Sequence, residues 1–83
     1  MSVANTISTY GWDYAKGMVR DNPESDLIFM IKLKEYVEAY ELVESYGGVS
    51  SAKKYLDSEY RKISTPETYL VLEQSLSLVE ECL

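Results

Sequence analysis

The fold is decided by residues 23–48, whose sequence is PESDLIFMIKLKEYVEAYELVESYGG. Apolar side chains recur there at intervals of three or four residues, as on one face of an α-helix, and they are Phe29, Leu33, Tyr36, Tyr40 and Val43. Charged residues such as Lys34 and Glu38 fall on the opposite side. The pattern predicts one long amphipathic helix with a buried face and a solvated face.

Several residues are typical of helix boundaries. Asn22 is a favourable N-cap, and Pro23 is a favourable first helical residue because it lacks the N–H that would go unpaired there. Thr65 and Pro66 form the same kind of pair before the last segment. Gly47 suits the left-handed position that follows a helix C-terminus.

Four helical segments are therefore expected, over 7–20, 23–46, 51–63 and 66–82. The first is the weakest, because two glycines interrupt it. Connections are short, and no segment alternates apolar with polar residues between hairpin turns, so nothing indicates a sheet. We predict an all-α fold, a small compact bundle of three to four helices with one long central helix.

The length of 83 residues corresponds to one domain. We expect a single helical domain over 1–83, with residues 1–6 disordered. Its predicted core joins the long helix to the last one and is closed by residues of the first and third helices. The predicted core residues are Phe29, Met30, Leu33, Val37, Tyr40, Val43, Leu72, Leu76, Val79, Met18, Val19, Ala52, Leu56 and Ile63.

Tyrosine is the unusual feature of the composition, with eight tyrosines against one phenylalanine and one tryptophan. A core that needs only apolar rings can use phenylalanine, which has no hydroxyl to satisfy. Tyrosine suits rings that lie half in and half out of the interior, and it is enriched at protein interfaces. The composition therefore indicates a contact surface.

The sequence contains no pattern for catalysis or for binding a metal or cofactor. The absence of histidine removes the commonest general base and the triads that depend on it. The single cysteine, Cys82, cannot form an intramolecular disulfide or a thiolate metal site. We predict a protein that is not an enzyme and has no cofactor.

The chain is acidic, with 14 acidic and eight basic residues and a net charge of −6. Nucleic-acid phosphate repels such a chain, because binding is driven by Lys and Arg that neutralise phosphates. The N-terminus does not resemble a signal peptide, and the longest apolar run, 27–31, is too short to cross a bilayer. We expect a cytoplasmic protein, in the host cytoplasm if a virus encodes it, without a membrane partner.

The predicted function is binding to another protein, as a regulator or inhibitor that occupies the surface of its partner. Small size, acidic charge and high tyrosine content are common among such proteins from phages and mobile elements, although this is a likeness of general character only. The expected contact residues are aromatic rings away from the core stripes and one neighbouring arginine, because Trp, Tyr and Arg dominate interface hot spots. They are Tyr10, Trp12, Tyr46, Tyr55, Tyr60 and Arg61.

Two alternatives remain at this point. Half of the basic residues lie within 53–62, interleaved with two tyrosines, as in a degenerate helix-turn-helix whose second helix begins near Ser64. The many carboxylates also allow a DNA mimic. The second alternative is a self-assembling unit such as a homodimer, because a helix over 23–46 would be about 36 Å long, longer than a compact domain of this size.

Overall fold

The computed structural model describes residues 2–83, which form five helices and no strand, so the all-α prediction is confirmed. The helix count is one higher than the upper end of the prediction. The helices are α1 (Val3–Tyr10), α2 (Trp12–Asp21), α3 (Ile28–Tyr46), α4 (49–63) and α5 (Pro66–Cys82). Helix α4 is continuous but irregular, with an α-helical segment Val49–Tyr55, a π-helical turn Leu56–Tyr60 and a last α-helical turn Arg61–Ile63.

The first predicted helix is two helices that meet at Gly11. Its φ of 88° and ψ of 171° lie in a region that essentially only glycine occupies. Helix α1 is capped by Ser2, whose Oγ accepts a hydrogen bond from the Asn5 backbone N–H at 3.1 Å. Residues 3–6, which were predicted to be disordered, form the first turn of α1, and Val3 and Thr6 are buried; Met1 lies outside the described residues.

The predicted start of the long helix is wrong because Asn22 belongs to the end of α2. Its backbone N–H and its side-chain Nδ2 both donate to the Met18 carbonyl, at 3.1 and 3.0 Å. Helix α3 therefore begins at Ile28, with 19 residues and a length of about 28 Å. That length fits within the largest dimension of the molecule, 33 Å. The length argument for a dimer no longer holds.

The boundary predictions at Gly47, Thr65 and Pro66 are confirmed. Gly47 follows α3 in the left-handed conformation, with a φ of 78°. Thr65 caps α5 by accepting from the Thr68 backbone N–H at 3.2 Å, and Pro66 is the first residue of that helix.

The core consists of two clusters of buried side chains along α3, which contacts each of the other four helices. The first cluster joins α1 and α2 to the N-terminal half of α3, and it contains Val3, Ile7, Ala15, Met30, Leu33 and Val37. The second joins the C-terminal half of α3 to α4 and α5, and it contains Ala39, Val43, Ala52, Leu56, Leu76 and Val79. The partly buried residues around them include Phe29, Tyr40, Leu72, Met18 and Val19.

Ile63 is the one predicted core residue that the structure exposes, with 77% of its surface accessible. In a regular α-helix, Ile63 would lie on the same face as Leu56, seven residues earlier, because seven residues make almost two complete turns. The π-helical turn between them rotates less per residue. Ile63 therefore lies off the face by which Leu56 packs into the core.

Candidate functional site

Three of the predicted contact residues, Tyr46, Tyr55 and Tyr60, lie side by side in a tyrosine row. The rings of Tyr46 and Tyr55 are stacked, with centroids 4.7 Å apart and an interplanar angle of 21°. The ring of Tyr60 follows at 6.2 Å from Tyr55 and is tilted by 50°. Residues from the end of α3 and from two parts of α4 thus form one aromatic surface.

The π-helical turn explains why Tyr55 and Tyr60 are neighbours. Residues five apart in a regular α-helix point about 140° away from each other. In the π turn the Arg61 backbone N–H donates to the Leu56 carbonyl, five residues earlier, so the helix widens. Residues five apart then come to nearly the same face, which the α-helical spacing rule does not predict.

The tyrosine row is anchored at one end and open at the other. Tyr60 is half-buried and packs against the second core cluster, and Tyr55 is also half-buried. Tyr46 is exposed over 44% of its surface. Stacking on Tyr55 orders the Tyr46 ring even though much of it faces solvent.

The remaining predicted aromatic residues lie elsewhere. Tyr10 is exposed and stacks on Tyr14, with centroids 4.7 Å apart. Trp12 is half-buried against both core clusters and lies parallel to Tyr40, with centroids 4.2 Å apart and an interplanar angle of 9°. These contacts make Trp12 a packing residue between the clusters.

The Trp12–Tyr40 stack is covered by an ion pair. The Lys16 Nζ lies 5.0 Å from the centroid of the Tyr40 ring and forms a salt bridge with Glu44. The hydrogen bond to Glu44 raises the pKa of Lys16 above its usual value. This arrangement ties α2 to α3 beside the aromatic pair.

Arg61, the sixth predicted residue, lies next to a partner that the sequence analysis did not select. Its guanidinium carbon is 5.0 Å from the centroid of the Tyr69 ring, which is within the range of a cation–π contact. The Tyr69 hydroxyl donates to the Asp57 carboxylate at 2.6 Å. This hydrogen bond raises the pKa of Tyr69 to about 12.

The Arg61–Tyr69 pair borders a cavity of about 310 Å³ at the junction of α4 and α5. We call it the arginine cavity, and it is lined by Arg61, Ser64, Thr65, Pro66, Tyr69 and Leu70. A second cavity of about 390 Å³ lies between α1 and the start of α3. Next to the second cavity, Leu27, Ile28 and Ile31 are exposed and form an apolar patch.

The basic residues of α4 are partly engaged within the fold. Lys53 forms a salt bridge with Glu80 at 3.2 Å, and Arg61 contacts Tyr69. Residues 57–63, which would supply the turn of a helix-turn-helix, are helical. The arrangement differs from the compact motif considered in the sequence analysis.

Residues 2–83 contain no group of three or more Cys, Asp or Glu side chains placed to hold a metal ion. In the same part of the chain, no helix combines the length and the apolar character needed to cross a membrane.

No protein-family model, curated protein or solved structure matches this chain.

Proposed function

We propose that this protein is a small cytoplasmic protein-binding module that regulates or inhibits a partner by occupying its surface through the tyrosine row. The observation that carries the proposal is the row of three neighbouring rings across α3 and α4, in which Tyr46 stacks on Tyr55 and Tyr60 lies tilted beside Tyr55. Three of the six predicted contact residues are thus neighbours in space.

The geometry of the row suits a binding surface. Side chains that must be immobilised on binding cost about 0.5–1.5 kcal/mol each. Stacking already restricts the rings of Tyr46 and Tyr55, so less conformational entropy remains to be lost. Tyrosine also offers a large flat apolar area and a hydroxyl that can pair with a polar group of the partner.

The charge distribution favours a protein partner over a nucleic acid. The chain carries a net charge of −6, and one of the basic side chains of α4, Lys53, is paired with Glu80 within the fold. A contact that depends on aromatic burial depends weakly on salt, whereas binding through several phosphates weakens steeply with salt.

The test is capture of a partner from nuclease-treated host lysate at low and high salt, with Tyr46→Ala compared with Tyr14→Ala. The two tyrosines are matched, because each is stacked and their exposed fractions are 44% and 46%. We expect the wild type and Tyr14→Ala each to capture one stoichiometric partner protein, which stays bound at high salt. Removal of Tyr46, a hot-spot residue, should weaken binding by about 30-fold, which corresponds to ~2 kcal/mol.

Three outcomes would contradict the proposal. The first is an equal loss of partner binding with Tyr14→Ala and with Tyr46→Ala. The second is a partner that dissociates at high salt, and the third is the absence of any stoichiometric partner. A captured DNA-binding protein that competing duplex displaces would favour the DNA mimic instead. Thermal unfolding of both variants serves as the control that the fold is intact.

Self-association is a second candidate, and the apolar patch of Leu27, Ile28 and Ile31 favours it. Aliphatic residues this exposed next to a cavity are typical of an interaction surface. The patch is flanked by Lys32 and by Asp26. Two copies that meet there can therefore pair opposite charges, despite the net negative charge of each molecule.

A further inference from the structure

The arginine cavity combines one positive charge with an apolar wall. Arg61 lies on one side, and Pro66, Tyr69 and Leu70 supply the apolar surface. Arg61 and Leu70 are both exposed, so both side chains are accessible to a ligand. A group that fills this cavity needs an apolar part and an acceptor for the guanidinium.

Arg61 forms no salt bridge with a carboxylate of the described residues. The salt bridges within residues 2–83 involve Lys16, Arg20 and Lys53 but not Arg61. The nearby Asp57 is engaged by the Tyr69 hydroxyl. The cation–π contact with Tyr69 orients the guanidinium while its N–H donors remain without a partner among the described residues.

The size of the cavity limits the occupant. Its volume of about 310 Å³ is at the lower end of the range of roughly 300–1,000 Å³ for ligand pockets. The charge and the apolar group must therefore belong to one small unit. The C-terminal residue of a peptide meets this requirement when it is aliphatic, because it carries a carboxylate and an apolar side chain on the same Cα.

We propose that the arginine cavity binds the C-terminal aliphatic residue of a partner protein, with its carboxylate on Arg61 and its side chain against Pro66 and Leu70. A planar guanidinium can hold both carboxylate oxygens at once. That the occupant is a peptide rests on the protein-binding function proposed above. The preference of the cavity for a ligand with an apolar group and a carboxylate is independent of that function.

The test is a titration of the ¹⁵N-labelled full chain, followed by NMR at the Arg61 side-chain Nε–H and the backbone amides of 64, 65 and 67–70. N-acetylleucine mimics a C-terminal leucine, and N-acetylleucinamide is the same ligand without the charge. We expect N-acetylleucine to shift these signals with a millimolar dissociation constant, as is usual for a ligand of this size. The amide, and acetate, which lacks the apolar group, should each bind at least 10-fold more weakly.

Matched variants assign the effect to one side chain. Arg61→Gln should abolish the shifts, and Arg61→Lys should weaken binding severalfold because lysine lacks the planar fork. Lys62→Gln removes the same charge from the next residue, which is exposed and does not line the cavity, and it should leave binding unchanged.

The proposal is overturned if N-acetylleucine causes no shifts up to 50-fold above ~1 mM, or if the amide binds equally well. An equal loss of N-acetylleucine binding in Arg61→Gln and in Lys62→Gln would also overturn it, because it would show a general effect of charge. N-acetylglutamate amide mimics an internal acidic residue, and stronger binding of that ligand would exclude a C-terminal occupant. Tyr46→Ala, which tests the tyrosine row, should not change this titration, so failure of one proposal is distinguishable from failure of the other.

Discussion

At Tyr69, one side chain connects α5 to α4 in two ways. Its hydroxyl donates to Asp57, and its ring lies beneath the Arg61 guanidinium. The ring also packs against the second core cluster. The position of Arg61 at the edge of its cavity therefore depends on a residue that is itself held by the fold.

The hydrogen bond between Tyr69 and Asp57 predicts a measurable pH dependence. It raises the pKa of Tyr69 to about 12 in the folded protein, whereas an unfolded tyrosine titrates near 10. The folded state therefore holds this proton more tightly. The contribution to stability is complete below about pH 10 and is lost as the pH rises through about 12.

The measurement is absorbance titration of tyrosinate in the wild type and in Asp57→Asn. We expect one tyrosine of the wild type to ionise near pH 12 and to shift towards 10 when the Asp57 charge is removed. Urea unfolding at pH 7 and pH 11 should show a smaller loss of stability with pH for Tyr69→Phe than for the wild type. Identical titration curves for the wild type and Asp57→Asn would show that the hydrogen bond does not form in solution.

At the scale of the helices, replacement of two glycines by alanine should change the stability of the protein in opposite directions. Gly11 has a φ of 88° and a ψ of 171°, so Gly11→Ala should destabilise the protein by about 1–3 kcal/mol. Gly17 lies within α2, where an added Cβ would be 3.6 Å from the Arg20 side chain, an ordinary contact. Gly17→Ala should stabilise the protein by about 0.5–1 kcal/mol, since alanine favours a helix.

Chemical denaturation of both glycine variants provides the measurement. The midpoint should fall for Gly11→Ala and rise for Gly17→Ala, with unchanged dependence of the unfolding free energy on denaturant. A stable Gly11→Ala variant would mean that α1 and α2 form one continuous helix in solution.

The π-helical turn in α4 makes a second prediction at this scale. Such a turn holds one residue more than an α-helical turn. Deletion of Ser58, which lies in the turn, should convert it to regular α-helix while residues on both sides keep their packing. Tyr55 and Tyr60 would then be four positions apart, a spacing that also places them on one face.

Deletion of Gln74 is the matched control, because Gln74 is also exposed but lies within regular α5. Its removal rotates half of that helix by about 100° and should disrupt the second core cluster. Circular dichroism and thermal unfolding should show a folded protein after deletion of Ser58 and a severely destabilised one after deletion of Gln74. Equal destabilisation would show that the register of the π turn is required for the fold.

These irregular elements also mark the limit of prediction from the sequence. The ends at Gly47 and Pro66 were predicted correctly, because local capping chemistry determines them. Asn22 was assigned to the wrong helix because its side chain can cap either end, and the choice depends on how α2 packs. The tyrosine row was selected residue by residue, but its continuity depends on a π turn that violates the 3.6-residue period.

Across the whole molecule, only part of the core could be predicted from the sequence. The amphipathic pattern of α3 predicted four of the five buried residues of that helix, which are Met30, Leu33, Val37 and Val43. Val3 and Ile7 were missed because the N-terminal segment is short. Ser2 is the only residue before Val3 that is typical of a helix start. They are buried because α1 packs against both α3 and α5, which is a tertiary effect.

The exposed patch at the start of α3 makes a prediction about the assembly of the whole molecule. The wild type should self-associate at high micromolar concentration, because burial of Leu27, Ile28 and Ile31 removes apolar surface from water. A stable dimer needs about 800 Å² of buried surface on each partner, so the neighbouring cavity between α1 and α3 must contribute. The measurement is sedimentation velocity over a range of protein concentrations.

Ile28→Lys and Ile63→Lys form a matched pair, because the two isoleucines have exposed fractions of 74% and 77% at different sites. Each substitution changes the net charge from −6 to −5, so charge repulsion between copies changes equally. Ile28→Lys should be monomeric at concentrations where Ile63→Lys still associates. A wild type that remains monomeric at high micromolar concentration would exclude a dimer through this patch, and association lost equally in both variants would place the interface elsewhere.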